Sequence, residues 1–282
     1  NFVPDDGGAD NQPEGLSRSA NVWHTDQSDI SELSITGTQQ AELSEEIYQT
    51  MAAIKEQTLE EVGAEFADTP IYAASNFERI ANDVQRREMR RGSFEDTCES
   101  IVTDVIDSVE ESLGAEHSGF EKRQNARFFG QNITNAVADA SEEMLRLMRL
   151  QARRGATQSN ASWDDIVDRI NREYDQASLR QRAELIADME LRNARETTRM
   201  NLWAADDDVI GVKVVNETAS TPLTQSLHGA EAYFEYDEPV SEQLMSQTRK
   251  QFLHEGFDPL PETPPFHFRD SSTLKPIREN NT

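Results

Sequence analysis

Residues 178–215 read SLRQRAELIADMELRNARETTRMNLWAADDDVIGVKVV, and the change of texture inside this stretch decides the fold. Ser178 is a side chain that can open a helix, and Leu179 and Ile186 share one face of it with helical spacing. The spacing predicts a helix to about Leu202. After Trp203 three aspartates interrupt, and Val209-Ile210-Gly211-Val212-Lys213-Val214-Val215 is short and β-branched, the composition of a strand. A long helix feeding directly into a strand predicts an α+β terminal module.

Downstream, Ala232-Tyr233-Phe234 reads as a second, weaker strand, and Ser241–Phe252 can hold a short helix. Prolines at 239, 259, 261, 264 and 265 preclude long regular elements there, and the tail after Arg269 is expected to be disordered. Upstream, helical periodicity dominates. Leu43, Ile47, Met51, Ile54 and Val62 mark one helix across 41–66, which Pro70 interrupts. Ser75-Asn76-Phe77-Glu78 and Ser118-Gly119-Phe120-Glu121 both have capping-box spacing, and Ser162-Trp163-Asp164-Asp165 starts a short helix. Ile101, Val102, Val105, Ile106 and Val109 form one further stripe; Phe128, Phe129, Ile133, Val137, Met144, Leu145 and Met148 fall in another, ending near Arg154-Gly155, and all are expected to pack in the core. The expected architecture is α+β and mostly α-helical. It comprises an extended acidic arm (1–38), a helical body (39–157), an α+β module (158–270) and a disordered tail (271–282).

The charge balance bounds the setting. Fifty-three acids face 27 bases, for a net charge of −26, and only five of the bases are lysines: Lys55, Lys122, Lys213, Lys250 and Lys275. Carboxylates hold hydrated cations well, and the long aliphatic stem of lysine adds apolar surface. Molar salt favours this combination, and it also shortens the Debye length to about 3 Å at 1 M, so that such a charge repels itself far less. The composition predicts a salt-adapted protein; the alternative is an acidic protein matched to a basic partner. No apolar run is long enough to span a bilayer, and the N-terminal residues lack the pattern of a secretion signal. Cys98, the one cysteine, lies among acids on the apolar side of a helix and reads as a small buried hydrophobe.

Four blocks in the C-terminal half carry a resemblance. The helix holds Arg182-Ala183-Glu184-Leu185-Ile186-Ala187-Asp188-Met189-Glu190-Leu191-Arg192-Asn193-Ala194, with Asn201 beyond it; the strand Val209–Val215 follows. A turn reads Thr221-Pro222-Leu223-Thr224-Gln225-Ser226-Leu227-His228-Gly229, and the closure reads Pro264-Pro265-Phe266-His267-Phe268-Arg269. In order and spacing these resemble the phage Mu F-like minor head proteins over residues 160–270. Met189 stands where that family has threonine, Thr221 and Thr224 fill the arginine, cysteine and histidine positions of its turn, and its closing cysteines are absent. The resemblance implies a few-copy head protein at the portal vertex, assembled during head morphogenesis. Its implied partners are the portal protein, the major capsid protein and packaged double-stranded DNA, and its place is the virion head, with the host cytoplasm during assembly. It also implies packing roles for Arg182, Glu190, Asn193, Gly229, Pro264, Pro265, His267 and Arg269. Glu190 falls beside the apolar stripe and so needs a partner, which Arg182 or a backbone amide can supply. Gly229 is expected in a conformation other residues resist, and Pro264-Pro265 in an extended approach that docks Phe266 and Phe268.

No chemistry-bearing motif competes with this reading. His228, His254 and His267 fall in one stretch, but none forms the close ligand pair of a zinc site, so no metal or cofactor is expected. Phosphate-cradling loops, nucleophile elbows and H-E-x-x-H are missing, and no enzymatic activity is expected; a hydrolase using the histidine-bearing module is the remote alternative. Arginines cluster at 86–91, along 180–199, and at Arg146, Arg149, Arg153 and Arg154, where residues 144–154 include no acid. This last group is a candidate contact to DNA or to the portal, weighed against pairing with carboxylates of the same chain. The alternative function is a helical interaction or scaffold protein of a halophile unrelated to virus heads.

Overall fold

In the computed structural model the described residues are 30–66, 70–90, 94–157, 162–215, 222–236, 238–247, 264 and 272–279. Their order is α1 (Ile30–Phe66), α2 (Pro70–Arg90), α3 (Phe94–Leu113), α4 (Gly119–Ala156), α5 (Trp163–Glu173), α6 (Gln176–Ala204), β1 (Val209–Val215), α7 (Pro222–Leu227), β2 (Glu231–Tyr233), α8 (Val240–Gln247) and β3 (Thr273–Arg278). The fold is α+β and mostly helical, with one small antiparallel sheet near the C-terminus. None of the described helices is long and apolar enough to cross a membrane.

The helices form an elongated bundle four helices thick. α1 and α6 run antiparallel, since Gln40 reaches Asp188, Arg180 donates to Glu45 at 2.6 Å, and Lys55 Nζ donates to the Tyr174 carbonyl at 2.7 Å. The 38 residues of α4 extend about 57 Å, long enough to pack antiparallel to α3 and then α2 set end to end. Lys122 meets Asp107 and Glu110 of α3, whereas Gln85 donates to the Ala138 carbonyl at 2.9 Å and Arg149 to Glu78 of α2 at 2.5 Å. The apolar stripes read from the sequence line this core except at Phe128, expected inside but turned to the surface of α4. Leu43, Ile47, Met51, Ile54, Val62, Ile133, Val137 and Met144 are fully buried, each stabilising the bundle by about 1.5–3 kcal/mol relative to exposure.

Local signals explain several boundaries and correct others. Ser118 and Ser162 close capping boxes with Glu121 and Asp165, satisfying amide groups that a helix start leaves unpaired. Ser75 does not open a helix: α2 runs unbroken from Pro70, which fits the first helical position because its missing N–H is not needed there. Asp175, not Ser178, caps α6, its carboxylate accepting from the Ser178 amide at 2.7 Å. The arm expected over 1–38 does not extend through residues 30–38, because α1 begins at Ile30 and continues through Gly37. A single helical glycine costs about 1 kcal/mol, which a helix of 37 residues absorbs. Residues 1–29 lie outside the described residues.

The expected module boundary at 158 also moves. Ile166, Ile170, Leu179, Ala183, Ala187, Leu191 and Ala194 all belong to the bundle core, while Met200 and Trp203 begin a second core with the sheet. The division therefore falls within α6, between Ala194 and Met200.

The sheet has the order β2-β1-β3, both pairings antiparallel. A bulge between Val209 and Gly211 against β3 resets the alternation, so Val209, Val212 and Val214 are all buried. β3 overturns the expected disorder for residues 272–279, the described part of the tail expected over 271–282. Leu274 pairs with Val214 and is buried, and Pro276 opposite Val212 is tolerated because β3 is an edge strand. Gly211 is where the sheet is tightest: a Cβ there would sit 2.3 Å from the Ala232 carbonyl oxygen, a backbone atom that cannot swing away. Gly211→Ala is expected to cost about 1–3 kcal/mol in denaturant unfolding, concentrated in the β1–β2 pairing. An unfolding midpoint equal to that of the unaltered chain would contradict this packing.

Candidate functional site

The strongest chemistry among the described residues lies where α6 leaves the bundle and meets the sheet. Glu196 is completely buried. Its Oε1 accepts from Arg195 at 3.0 Å and from Arg199 at 3.2 Å, and its Oε2 accepts from the Leu274 backbone amide of β3 at 3.0 Å. One carboxylate thus bridges two guanidinium groups and pins a strand 78 residues away in sequence. Burial pulls the Arg195 guanidinium below the ordinary arginine range, opposed by the attraction of Glu196. A buried carboxylate is tolerated only with this degree of pairing.

A second polar device closes the other side of the sheet. Gln243 and Gln247 lie four residues apart on α8, on one helix face. Gln243 Oε1 accepts from the Tyr233 amide at 2.8 Å and its Nε2 donates to the Tyr233 carbonyl at 3.0 Å. Gln247 does the same for Glu231, at 3.1 and 2.5 Å. The two side-chain amides stand in for a neighbouring strand and occupy the edge that β2 would otherwise present to another chain.

The residues singled out by the resemblance fare differently. Arg182 does not meet Glu190; it pairs with Glu143 of α4 at 2.8 Å and lies over the Tyr174 ring. Burial pushes the Glu190 carboxyl above the usual carboxylate range, and it has no ion-pair partner among the described residues. The clasp expected at Glu190 is formed instead by Glu196, six residues on, because α6 has by then left the bundle and needs an anchor for β3. Asn193 accepts from the Thr197 hydroxyl at 3.4 Å. Gly229 has φ +84°, the left-handed region that favours glycine, and its amide donates to the Val214 carbonyl at 2.8 Å. Pro264 is buried; Pro265, His267 and Arg269, like His254, Phe266 and Phe268, lie outside the described residues. His228 is exposed in the turn before Gly229, and no three His, Cys, Asp or Glu side chains among the described residues are placed to hold a metal ion. Cys98 is buried, and burial with the nearby charges of Glu46 and Glu95 pushes its thiol up to about 12.

The arginines at the C-terminal half of α4 are divided by the fold. Arg149 is spent inside the molecule, holding Glu78 of α2. Arg146, Arg153 and Arg154 are exposed, without ion pairs among the described residues, and no acid occurs from Met144 to Trp163. Arg153 and Arg154 occupy the last turn, where the negative end of the helix dipole favours them. This is a cationic surface on a protein of net charge −26. Compared with known proteins, the chain matches no family model, no curated protein and no solved structure.

Proposed function

We propose that this chain is a structural docking component of a virus head, a minor head protein associated with the portal vertex of a salt-adapted tailed virus. The observation that carries the reading is the exposed arginine surface of Arg146, Arg153 and Arg154 on the longest helix of a strongly acidic bundle. Supporting it are the blocks quoted from 182–229, which fall on α6, β1 and the Gly229 turn. In this reading the partner offers carboxylates or phosphates, which arginine binds through paired N–H donors. Salt weakens phosphate contacts through counterion release, so in brine the favoured partner is a protein of the head, the portal protein or the major capsid protein, with packaged DNA second.

The test is Arg146→Ala, Arg153→Ala and Arg154→Ala together, leaving Arg149 because it braces α4 on α2. Incorporation into assembled heads, followed by mass spectrometry of purified particles, is expected to fall about tenfold, as for removal of about 1.4 kcal/mol of contact. Unchanged incorporation with impaired DNA retention would move the contact to the genome. If both are unchanged, or the chain never occurs in particles, the proposed function fails.

A further inference from the structure

The first half of α4 has a surface unlike the rest of the molecule. Phe120 is 69% exposed and Phe128 is 59% exposed, the largest exposures among the described large apolar side chains. With Gln124 between them they follow i, i+4, i+8 spacing and so share one face of the helix. Arg123 and Arg127 run along one side of that face, both exposed and without ion pairs among the described residues, and no acid occurs between Glu121 and Asp139. Phe128 is held in place by the buried Phe129, whose ring it meets edge-on at 5.2 Å. Two aromatic side chains with arginines along one side are a surface for something acidic that carries an apolar anchor.

The chain contains such a segment. Residues 1–29 hold six acids (Asp5, Asp6, Asp10, Glu14, Asp26 and Asp29) against the single base Arg18, together with Trp23, Val22 and Leu16. The topology also brings them to the right place. α2 and α3 run in series antiparallel to α4, and α1 runs antiparallel to α2, so α1 and α4 start at the same end of the bundle. Trp23 precedes Ile30 by seven residues, a reach of about 23 Å when extended. Packed helix axes lie about 8–10 Å apart, so even the diagonal of a four-helix cross-section falls within that reach. A tether this short gives the segment an effective concentration in the millimolar range at its own helix surface, which no separate acidic partner matches.

We propose that the Phe120–Phe128 face of α4 is the docking site of the same chain's N-terminal segment, with Trp23 seated between the two phenylalanines and the acids of that segment facing Arg123 and Arg127. This is independent of the virus-head reading, which rests on the opposite half of α4.

Disulfide trapping tests this in the full-length chain, at the salt concentration where it is folded. Cys98 is buried and does not interfere. Trp23→Cys combined with Gln124→Cys is expected to give an intramolecular disulfide in most chains, read as a monomer-sized band of altered mobility on a non-reducing gel and as the linked peptide pair by mass spectrometry. Trp23→Cys with Leu150→Cys, about 39 Å further along the same helix, sets the background. Phe120→Ser and Phe128→Ser, both surface changes, are expected to lower trapping at position 124 about tenfold. Equal trapping at 124 and 150, trapping only between two chains, or trapping indifferent to the two serines would each overturn the proposal.

Discussion

Glu196→Leu is expected to destabilise the protein by about 3–5 kcal/mol and to free β3 from α6, the largest effect of any single substitution considered for this chain. The carboxylate is fully buried, so water cannot replace what it contributes. Its loss strands the Arg195 and Arg199 guanidinium groups in a desolvated site and leaves the Leu274 amide without an acceptor. An orphaned buried amide alone costs about 1–3 kcal/mol. Glu196→Gln keeps an acceptor for Leu274 but not the charge that balances the arginines, and is expected to fall between Glu196→Leu and the unaltered chain. Adding Arg195→Leu to Glu196→Leu should recover part of the loss, since replacing both members of a buried pair by apolar groups is far less costly than removing one. Denaturant unfolding reads the stability, and hydrogen exchange at the Leu274 amide reads the clasp itself. A Leu274 amide that stays fully protected in Glu196→Leu, with less than about 1 kcal/mol lost, would show that β3 is held by its pairing with β1 alone.

Why this residue escaped a reading of the sequence, while β1 did not, follows from the range over which each is determined. β1 is written locally: five β-branched residues in seven, bounded by Asp208 and Asn216, have few other ways to fold, and the strand spans Val209–Val215 as expected. The caps at Ser118 and Ser162 are equally local, since a serine and an acid three residues later satisfy each other whatever surrounds them. β3 is the opposite case. Thr273–Arg278 holds a proline and two bases, and only the partner strand β1 and the distant Glu196 carboxylate make it a strand. A helical wheel rightly places Glu190 near the apolar stripe. It does not show that the bundle ends a turn later, where Met200 and Trp203 turn to the sheet and the stronger demand for a partner falls on Glu196. The arginines of α4 make the same point. Whether Arg149 or Arg153 is engaged depends on Glu78, 71 residues away from Arg149, and not on the basic run itself.

Lowering the salt from about 1 M to about 0.1 M is expected to drop the melting temperature by about 15 °C, equivalent to about 4–6 kcal/mol for a domain of this size. The surface explains both the sign and the size. A hollow of about 460 Å³ beside the α3–α4 turn is lined by Asp107, Glu110, Glu111 and Glu116, with Lys122 the one base among its lining residues. Lys122 meets both Asp107 and Glu110, and Glu110 also accepts from the His117 backbone amide at 2.9 Å, which leaves Glu111 and Glu116 without a further base among the lining residues. At about 1 M salt the Debye length is about 3 Å and carboxylates several ångströms apart scarcely interact; at about 0.1 M it is about 10 Å and the repulsion returns over the whole −26 surface. Unfolding relieves that repulsion by spreading the charges, so the folded state loses stability as salt is withdrawn. Lys122→Gln removes the local counter-charge and is expected to steepen the dependence, lowering the melting temperature more at about 0.1 M than at about 1 M salt. Sucrose strengthens apolar burial but does not screen charge, and is expected not to restore the melting temperature that potassium chloride restores. If the chain melts within about 3 °C of the same temperature at both salt concentrations, its acidity serves a basic partner and not brine.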